Sequence, residues 1–305
     1  MTATPNPLAD LSLAARNAST AAGPSLVAIG RHGRGTGVVV GADRVLTNAH
    51  NLRDRTTAVT FDGGRTVQGQ VLGTDADHDL VVLDVETGDA PVLAFADHEL
   101  AEGDPVFAAA RSPRGHRVTF GLVSATEAAF RGPRGRRVKG AVEHTAPLAR
   151  GSSGGPLLDA EGRMVAINTH RLGEGFYLAQ PADAQFRERL DRLTAGAHLG
   201  GRRLGVAIVA ADESARLRRK VGLPDQPGLL VAGVVEDSPA AVAGLDEGDL
   251  IVAVAGSAVG SIDDVWDALD LAGDTVELDV VRGADTRTVT LSFAEAEDAG
   301  PDERG

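Results

Sequence analysis

Short runs of apolar and β-branched residues, separated by Gly, Pro, Asp and Asn, fill the chain between residues 26 and 178. Many short strands at turn-punctuated spacing are typical of a β-barrel or β-sandwich. After these strands in the sequence, apolar residues recur at i, i+4 and i+7: Phe186, Leu190 and Leu193. This spacing predicts an amphipathic helix over 184–193 that packs on this domain. The predicted strands are 38–40, 45–47, 58–61, 67–71, 80–85, 106–109, 118–123, 138–142, 164–168 and 176–178.

The back part of the chain mixes strands with two helix signals, which is typical of a small α/β domain. The stretch 238–244 begins with Ser-Pro and ends in Gly, so we expect a very short helix with a serine cap. Ser261 and Asp264 form a variant of the capping box, with Asp in place of Glu or Gln, and open a helix that runs to Leu271. The strands predicted around these helices are 228–235, 249–254, 276–281 and 286–293.

Charge is distributed unevenly along the 305 residues, in which 30 Lys and Arg face 43 Asp and Glu for a formal net charge of −13. Residues 1–201 carry a net charge of −1, whereas residues 202–293 carry −8. This shift, with the Gly-rich stretch that follows residue 195, predicts two separately folded domains. We expect an N-terminal segment (1–24), a first domain (25–195), a linker (196–201), a second domain (202–293) and a disordered acidic tail (294–305).

Composition excludes several classes of protein. The chain has no cysteine, which rules out disulfides, thiolate nucleophiles and cysteine-ligated metals. No apolar run reaches the roughly 18 residues of a membrane span, and the acidic balance argues against a nucleic-acid partner. Because no signal peptide is recognisable, we expect a cytoplasmic protein; the alternative is an exported protein whose targeting segment is absent from this sequence.

Three segments carry candidate chemistry. His50 ends a Gly-rich pair of strands, Asp79 stands at the start of an apolar strand, and Ser153 lies in the turn Gly-Ser-Ser-Gly-Gly-Pro. Each is weak alone, since a lone histidine is usually structural and Asp or Ser-Gly-Gly is common in turns. The order His, Asp, Ser is that of the chymotrypsin-like enzymes, in which two β-barrels bring the three side chains together.

The three motifs resemble those of the HtrA (Deg) family of serine proteases. Residues 47–50 match the family's histidine motif, residues 79–83 its aspartate motif, and residues 151–157 its Gly-Asn-Ser-Gly-Gly-Pro-Leu serine motif. The resemblance covers about residues 20–293. It implies an all-β double barrel of the chymotrypsin/trypsin type, followed by a small α/β PDZ domain.

The resemblance also implies roles for these residues. Ser153 would be the nucleophile, His50 the general base and then acid, and Asp79 the carboxylate that orients the imidazole. The chemistry requires the same residue types, because a serine hydroxyl attacks a peptide carbonyl efficiently only when a neutral imidazole takes its proton. The backbone amides of Gly151 and Ser153 would form the oxyanion hole. The competing nucleophile, Ser152, stands where the family has Asn and ranks behind Ser153.

The sequence departs from the family just before the serine. Glu-His-Thr-Ala at 143–146 and Ala-Arg at 149–150 replace the usual Gln-Thr-Asp-Ala and Asn-Pro, and residues 175–179 differ as well. Because these positions shape the specificity pocket, the family's preference for a small aliphatic P1 residue transfers only weakly. The family relationship implies a homo-oligomer. The N-terminal segment lacks the aromatic residues through which family members build trimers, so the sequence does not predict a trimer in particular.

In the second domain, the resemblance implies a site for peptide C-termini. Leu204, Gly205 and Val206 would be the loop whose amides grip the terminal carboxylate, while the peptide adds a strand beside the helix that carries Val265 and Leu269. Taken alone, Leu-Gly-Val is simply the interior of a strand.

A basic run lies between two strands of the first domain: Arg131, Arg134, Arg136, Arg137 and Lys139. In the family this loop senses the PDZ domain, which here carries −8. Our hypothesis is that the run is a regulatory loop that docks on the acidic domain or tail and couples peptide binding to Ser153. The alternative is a solvated loop.

Two functions remain open. The first is an endopeptidase that degrades unfolded or exposed polypeptides, with the PDZ domain as tether or regulator. The second is a peptide-binding or chaperone-like scaffold whose protease site is inactive or latent. Neither requires a cofactor, and His78, His144 and His170 lack metal-ligand spacing, so no metal is expected.

Overall fold

The computed structural model describes residues 6–112, 114–132, 136–199, 203–224 and 226–293. The chain divides into two compact units, one up to residue 200 and one from residue 201. The predicted tail, residues 294–305, lies outside the described residues. Each unit has its own hydrophobic core and is described separately below.

The first six strands of the first unit form a closed sheet. Strands follow the order β5-β4-β1-β2-β3-β6, and β6 also pairs with β5, which closes the ring. Its interior is filled by valines, leucines and isoleucines such as Val27, Val39 and Leu83, none of which is exposed. The bounds are β1 Leu26–Ile29, β2 Gly35–Gly41, β3 Arg44–Asn48, β4 Thr56–Thr60, β5 Thr66–Asp75 and β6 Leu80–Asp84.

The next six strands form a second closed barrel, in the order β10-β11-β12-β9-β8-β7. All ten strands predicted for this domain are present in the two barrels. The sequence pattern missed β1 and β10; β10 is only three residues long and begins with Pro156. The bounds are β7 Pro105–Ser112, β8 Gly115–Arg131, β9 Arg137–His144, β10 Pro156–Leu158, β11 Met164–Gly173 and β12 Phe176–Pro181.

Two helices pack on these barrels. Helix α1 spans Pro7–Ala22, and its N-cap Asn6 accepts a hydrogen bond from the Ala9 amide. Helix α2 spans Ala184–Thr194 and buries the predicted apolar face, so that prediction is confirmed. The end of α2 lies so close to β5 that a Cβ at Gly73 would collide with the carbonyl of Leu193.

Part of the predicted linker belongs to the first unit. Strand β13, His198–Leu199, pairs in parallel with the end of β5. The prediction of a free linker over 196–201 is therefore wrong for these two residues, because the turn after α2 leads the backbone directly to the open edge of β5.

The second unit is a sheet with three helices. The strand order is β14-β15-β16-β18-β19, and β17 pairs with β16. Both predicted helices are present, and the Ser261–Asp264 capping box is complete. Helix α3 was not predicted, because its apolar positions are sparse among charged residues. The bounds are β14 Val206–Val209, α3 Ala211–Lys220, β15 Leu229–Val234, α4 Pro239–Val242, β16 Leu250–Val254, β17 Ser257–Ala258, α5 Ile262–Leu271, β18 Thr275–Arg282 and β19 Asp285–Ser292.

A buried carboxylate ties the second unit together. Asp249 has no exposed surface and accepts hydrogen bonds from Arg282 Nε at 2.7 Å and from Arg287 Nη2 at 2.9 Å. Burial alone would raise the pKa of this carboxyl, but the hydrogen bond from Arg282, the Asp246 amide and the two arginine charges hold the pKa below its ordinary value. The network therefore links the start of β16 to β18 and β19.

We expect Asp249→Asn to lower the free energy of unfolding of the second unit by about 2 kcal/mol at pH 7, because both arginines lose a charged acceptor. The stabilisation is present above the unfolded pKa of about 3.9 and is lost as the pH falls through the lowered folded pKa. Urea unfolding followed by the fluorescence of Trp266, the single tryptophan, measures it. The exposed Asp285→Asn is the control, and equal effects of the two substitutions would contradict the network.

Candidate active site

His50 and Asp79 form a directly bonded pair in the first barrel. His50 lies in the 3₁₀ turn Ala49–Asn51 that follows β3, and Asp79 immediately precedes the neighbouring strand β6. His50 Nδ1 lies 2.6 Å from Asp79 Oδ2, and the His50 amide donates to Asp79 Oδ1 at 2.9 Å. Because a carboxylate only accepts hydrogen bonds, Nδ1 carries the proton and Nε2 of the neutral ring is left as an acceptor.

Asp79 is held by the second barrel as well. The carboxylate has no exposed surface, and the hydroxyl of Thr169, on β11, donates to Oδ2 at 3.1 Å. The same hydroxyl lies 2.8 Å from Nδ1 of His170. Because its one proton is donated to Asp79, the hydroxyl accepts in this second contact and His170 Nδ1–H donates. Asp79 itself adopts a left-handed backbone conformation, with φ of +59°. Such a conformation costs about 1 kcal/mol or more in a non-glycine residue, and the surrounding hydrogen bonds maintain it.

His170 lies beside this pair. Its ring centroid is 5.9 Å from that of His50 and 4.8 Å from that of Phe130. Burial lowers the pKa of His170, and although the Asp79 charge raises it, the nearby His50 lowers it further. The sequence motifs did not single out Thr169, and they gave His170 no role, because both residues come just after the predicted strand 164–168, which carries no recognisable motif.

Ser153 is half-buried and lies at the junction of the two barrels. Its carbonyl accepts hydrogen bonds from the Thr36 amide and from Asn51 Nδ2, both at 2.9 Å. Its hydroxyl donates to the Thr169 carbonyl at 3.1 Å. Both Ser153 and His50 are within the described part of the chain, and no hydrogen bond joins them there. Ser152, by contrast, is only 5% exposed.

The serine turn depends on two glycines in the left-handed region. Gly151 has φ of +85° and Gly154 φ of +84°, and a Cβ at either position would collide with a carbonyl of the first barrel. Thr36 Oγ1 donates to the Gly151 carbonyl at 2.8 Å. Among the residues that the structure describes, the amides of Gly151 and Ser153 find no acceptor. Two backbone donors of the serine turn are therefore available to a ligand.

A buried histidine contacts the residue that holds the end of the serine turn. His144 has no exposed surface, and its Nε2 lies 2.9 Å from Oδ1 of Asn168, whose amide Nδ2 donates to the Gly155 carbonyl at 2.9 Å. The ring stacks on Tyr177 at 5.7 Å. Burial lowers the pKa of His144 to about 4, against the opposing effect of Asn168. His144 lies in the segment 143–146, where the sequence departs from the family's motif.

The predicted groove residues of the second unit differ in exposure. Leu204, Val265 and Leu269 are buried in the core of that unit, whereas Gly205 and Val206 are half-buried. The Gly205 carbonyl is occupied by the Val235 amide. The amides of Leu204 and Gly205 donate no hydrogen bond within the described residues. This arrangement leaves two backbone donors at the place predicted for a carboxylate.

The basic run of the first unit is partly tied down. Arg136 is ion-paired with the buried Asp77 at 3.6 Å. Arg131, Arg137 and Lys139 are exposed, and Arg134 lies outside the described residues. One of the charges assigned to a regulatory loop is therefore engaged within its own unit.

Comparisons with known proteins agree with this architecture. The trypsin-like peptidase domain model matches residues 35–167, and a PDZ domain model matches residues 230–282. The putative serine protease HhoA of Synechocystis sp. is 31% identical over 287 residues, covering 86% of this chain and 71% of the relative. The chain belongs to the HtrA family of serine proteases.

Other HtrA relatives are similar over the same region. A probable periplasmic DegP-like serine endoprotease of Halomonas elongata is 30% identical, covering 88% of this chain but 58% of the relative. The solved structure of the HtrA-type protease AlgW with a tripeptide has a TM-score of 0.58 and 26% identity, covering 91% of this chain and 95% of that one. The predicted family, the double barrel and the PDZ domain are confirmed.

No cluster of three His, Asp or Glu side chains capable of holding a metal ion occurs in the described residues. Within the same ranges, none of the helices combines the length and the apolarity that crossing a bilayer requires.

We expect acid to destabilise the first unit through His144. The ring is neutral when folded, with a pKa of about 4, and protonates near 6.5 when unfolded. Stability is therefore fully present above about pH 6.5 and falls by up to about 3 kcal/mol as the pH drops to 4. In His144→Gln this part of the pH dependence should vanish. Hydrogen exchange of the β9 and β12 amides from pH 7.5 to 4.5 measures it, and identical profiles for both proteins would refute the assignment.

Proposed function

We propose that this chain is a serine endopeptidase that cleaves unfolded or exposed polypeptides, with His50, Asp79 and Ser153 as its triad. The observation that carries the proposal is the bonded His50–Asp79 pair, which leaves Nε2 of the imidazole as the base. It is joined by a serine turn in which two amides have no acceptor in the described part of the chain. These are the parts that acyl transfer requires: a nucleophile, an oriented base and donors for an oxyanion.

The reaction begins when Nε2 of His50 takes the Ser153 proton as the serine oxygen attacks the carbonyl carbon. The carbonyl oxygen becomes an oxyanion, which the amides of Gly151 and Ser153 stabilise; removing one such donor typically costs about 10²- to 10³-fold in rate. The imidazolium then gives its proton to the leaving amine, and water repeats the sequence on the acyl-enzyme. Asp79 stabilises the imidazolium in both halves.

Unfolded polypeptide is the substrate that fits this chemistry. A peptide carbonyl reaches Ser153 only when its backbone is freed from its own strands and helices, because those structures occupy the groups that the cleft must contact. The family relationship supports the same substrate class, and PDZ domains add a second place at which a chain can be held.

The second candidate is a latent or peptide-binding scaffold. One observation favours it: the Ser153 hydroxyl donates to the Thr169 carbonyl at 3.1 Å and not to His50. A rotation of that side chain is needed before attack. Catalytic hydrogen bonds often tighten only when substrate binds, so the geometry is compatible with an active enzyme that aligns on binding.

We expect a fluorophosphonate to modify Ser153 stoichiometrically, because it alone is activated by His50. The wild type should degrade casein, and Ser153→Ala should lower that rate by about 10⁴-fold or more. Intact-mass and peptide-mapping spectrometry locate the label, and gel electrophoresis follows casein.

His50→Ala serves as the second variant and should abolish the labelling, while Ser152→Ala should keep it. Labelling at Ser152, or a failure of both labelling and casein degradation even with a PDZ peptide ligand present, would favour the latent scaffold.

We also propose that the second unit binds peptide C-termini. The support is the pair of unoccupied amides at Leu204 and Gly205 beside β14, the strand to which a peptide would add. Gly205 has φ of +81°, and a Cβ there would collide with Ser238. Val265 and Leu269 lie in the core, so in this proposal they support the groove from beneath.

A fluorescein-labelled octapeptide ending in Val should bind full-length Ser153→Ala, and its C-terminally amidated form should not, since the carboxylate is what the loop amides recognise. Gly205→Ala in the same background should weaken binding by at least about tenfold, because the loop must move. Fluorescence anisotropy measures both. Equal affinity of the acid and amide peptides would contradict the site.

The basic run is kept as a regulatory proposal. Arg131, Arg137 and Lys139 supply exposed positive charge near Ser153's barrel, and residues 202–293 supply the −8 to which it would respond. Because Arg136 is engaged by Asp77, its own contribution to such coupling is small.

A further inference from the structure

Two basic cavities lie in the first unit, and one of them adjoins the serine turn. The first, of about 120 Å³, lies between the β7–β8 hairpin and the segment before Ser153, and we call it the hairpin cavity. The second, of about 630 Å³, lies beside the β1–β2 turn, and we call it the loop cavity. Neither belongs to the triad, and neither was anticipated from the sequence.

The hairpin cavity collects arginines from separate segments. Arg114, Arg117 and Arg150 line it, all are exposed, and none has an ion-pair partner among the described residues. Arg111 also lines it and is only 6% exposed; its Nη2 pairs with Asp62, but Nε and Nη1 are buried and have no hydrogen-bond partner among the described residues. No Asp or Glu is among the described residues that line this cavity.

The loop cavity has the same character. Arg31, Arg34 and Arg53 line it, with Asp54 as the one acidic side chain among its described lining. Arg31 and Arg53 are exposed and have no ion pair within the described residues. Three positive charges around one negative charge leave this cavity basic at neutral pH.

The hairpin cavity adjoins the serine turn directly, and the loop cavity is linked to the turn through hydrogen bonds. Gly151 itself lines the hairpin cavity, and the Gly33 carbonyl of the β1–β2 turn lies where a Cβ on Gly151 would be. On the other side, Arg34 donates to the Asn51 carbonyl at 3.3 Å, and Asn51 donates to the Ser153 carbonyl at 2.9 Å. The arginines of the hairpin cavity are therefore beside the serine turn, and the loop cavity is connected to Ser153 through Asn51.

We propose that these two cavities recognise acidic side chains, so that the substrate class of this enzyme is polypeptide with Asp or Glu near the scissile bond. The inference rests on the proposed endopeptidase function. Arginine is suited to the role, because its guanidinium binds a carboxylate with two parallel hydrogen bonds. Alternate residues of an extended chain lie about 7 Å apart on one side, so several carboxylates can contact such a surface together.

Single-stranded nucleic acid is the competing ligand for a basic surface. Its non-specific recognition relies on aromatic side chains on which bases stack. No Phe, Tyr or Trp is among the described residues that line the two cavities. A polyanion longer than the cavities would extend beyond them, and there it would be repelled by a protein whose net charge is −13.

The test is a binding measurement on full-length Ser153→Ala. The probe is a fluorescein-labelled, C-terminally amidated peptide in which Glu residues alternate with Gly and Ala, and the comparison is the same peptide with Gln for Glu. The amide end keeps the probe from the carboxylate loop of the second unit. Fluorescence anisotropy gives the two dissociation constants.

We expect the Glu peptide to bind at least about fivefold tighter than the Gln peptide at about 50 mM NaCl, and the ratio to approach 1 at about 0.5 M, because exposed charges are screened. Arg114→Gln with Arg150→Gln, and separately Arg31→Gln with Arg53→Gln, should each reduce the ratio. The charge-matched control is Arg16→Gln with Arg192→Gln, on α1 and α2, which should leave it unchanged.

Equal affinities of the two peptides, or an equal loss in the control variant, would overturn the proposal. So would a single-stranded oligonucleotide that binds tighter than the Glu peptide and is weakened by the same variants. If the wild type degrades casein while the peptides bind equally, the inference fails and the proposed function stands. If the Glu peptide binds as expected but the wild type is not labelled by the fluorophosphonate and does not cleave casein, the proposed function fails and the site for acidic side chains stands.

Discussion

The first unit is organised around one buried charge. Asp79 has no exposed surface, and removing a carboxylate from water costs several kcal/mol unless hydrogen bonds replace the lost solvation. The replacement comes from both barrels: His50 supplies an amide and a ring N–H from the end of β3, and Thr169 supplies a hydroxyl from β11. The barrels therefore must pack in one register, and that register also fixes the tautomer of His50.

The serine turn follows from the same packing. Thr36 on β2 donates its amide to the Ser153 carbonyl and its hydroxyl to the Gly151 carbonyl, while Asn51 adds a second donor to Ser153. A turn that uses left-handed glycines would otherwise have several conformations open to it. The first barrel holds the turn in one conformation, and the amides of Gly151 and Ser153 have no acceptor among the described residues.

The sequence alone could locate the parts of the site that are local. Each triad residue sits in a short motif whose chain order matches a known chemistry, and the strands repeat at a spacing that is characteristic of barrels. It could not show that Thr169 donates to Asp79, or that His144 supports Asn168, because those contacts join strands that are separated along the chain. The pairing of His198–Leu199 with β5 was missed for the same reason, since a glycine-rich stretch looks like a linker until its partner edge is known.

Charge in this protein acts at two different ranges. The net charge of −13 resides mainly after residue 201, and interactions beyond about 8 to 10 Å are screened at physiological salt. An acidic polypeptide therefore gains no long-range steering from the molecule as a whole. The arginines of the two cavities act only on contact, and Arg111 is already buried with two nitrogens that have no partner among the described residues. A preference for acidic segments should therefore lower the dissociation rate constant and leave the association rate constant nearly unchanged. Ion pairs made on contact govern dissociation, whereas the field of the whole molecule governs association.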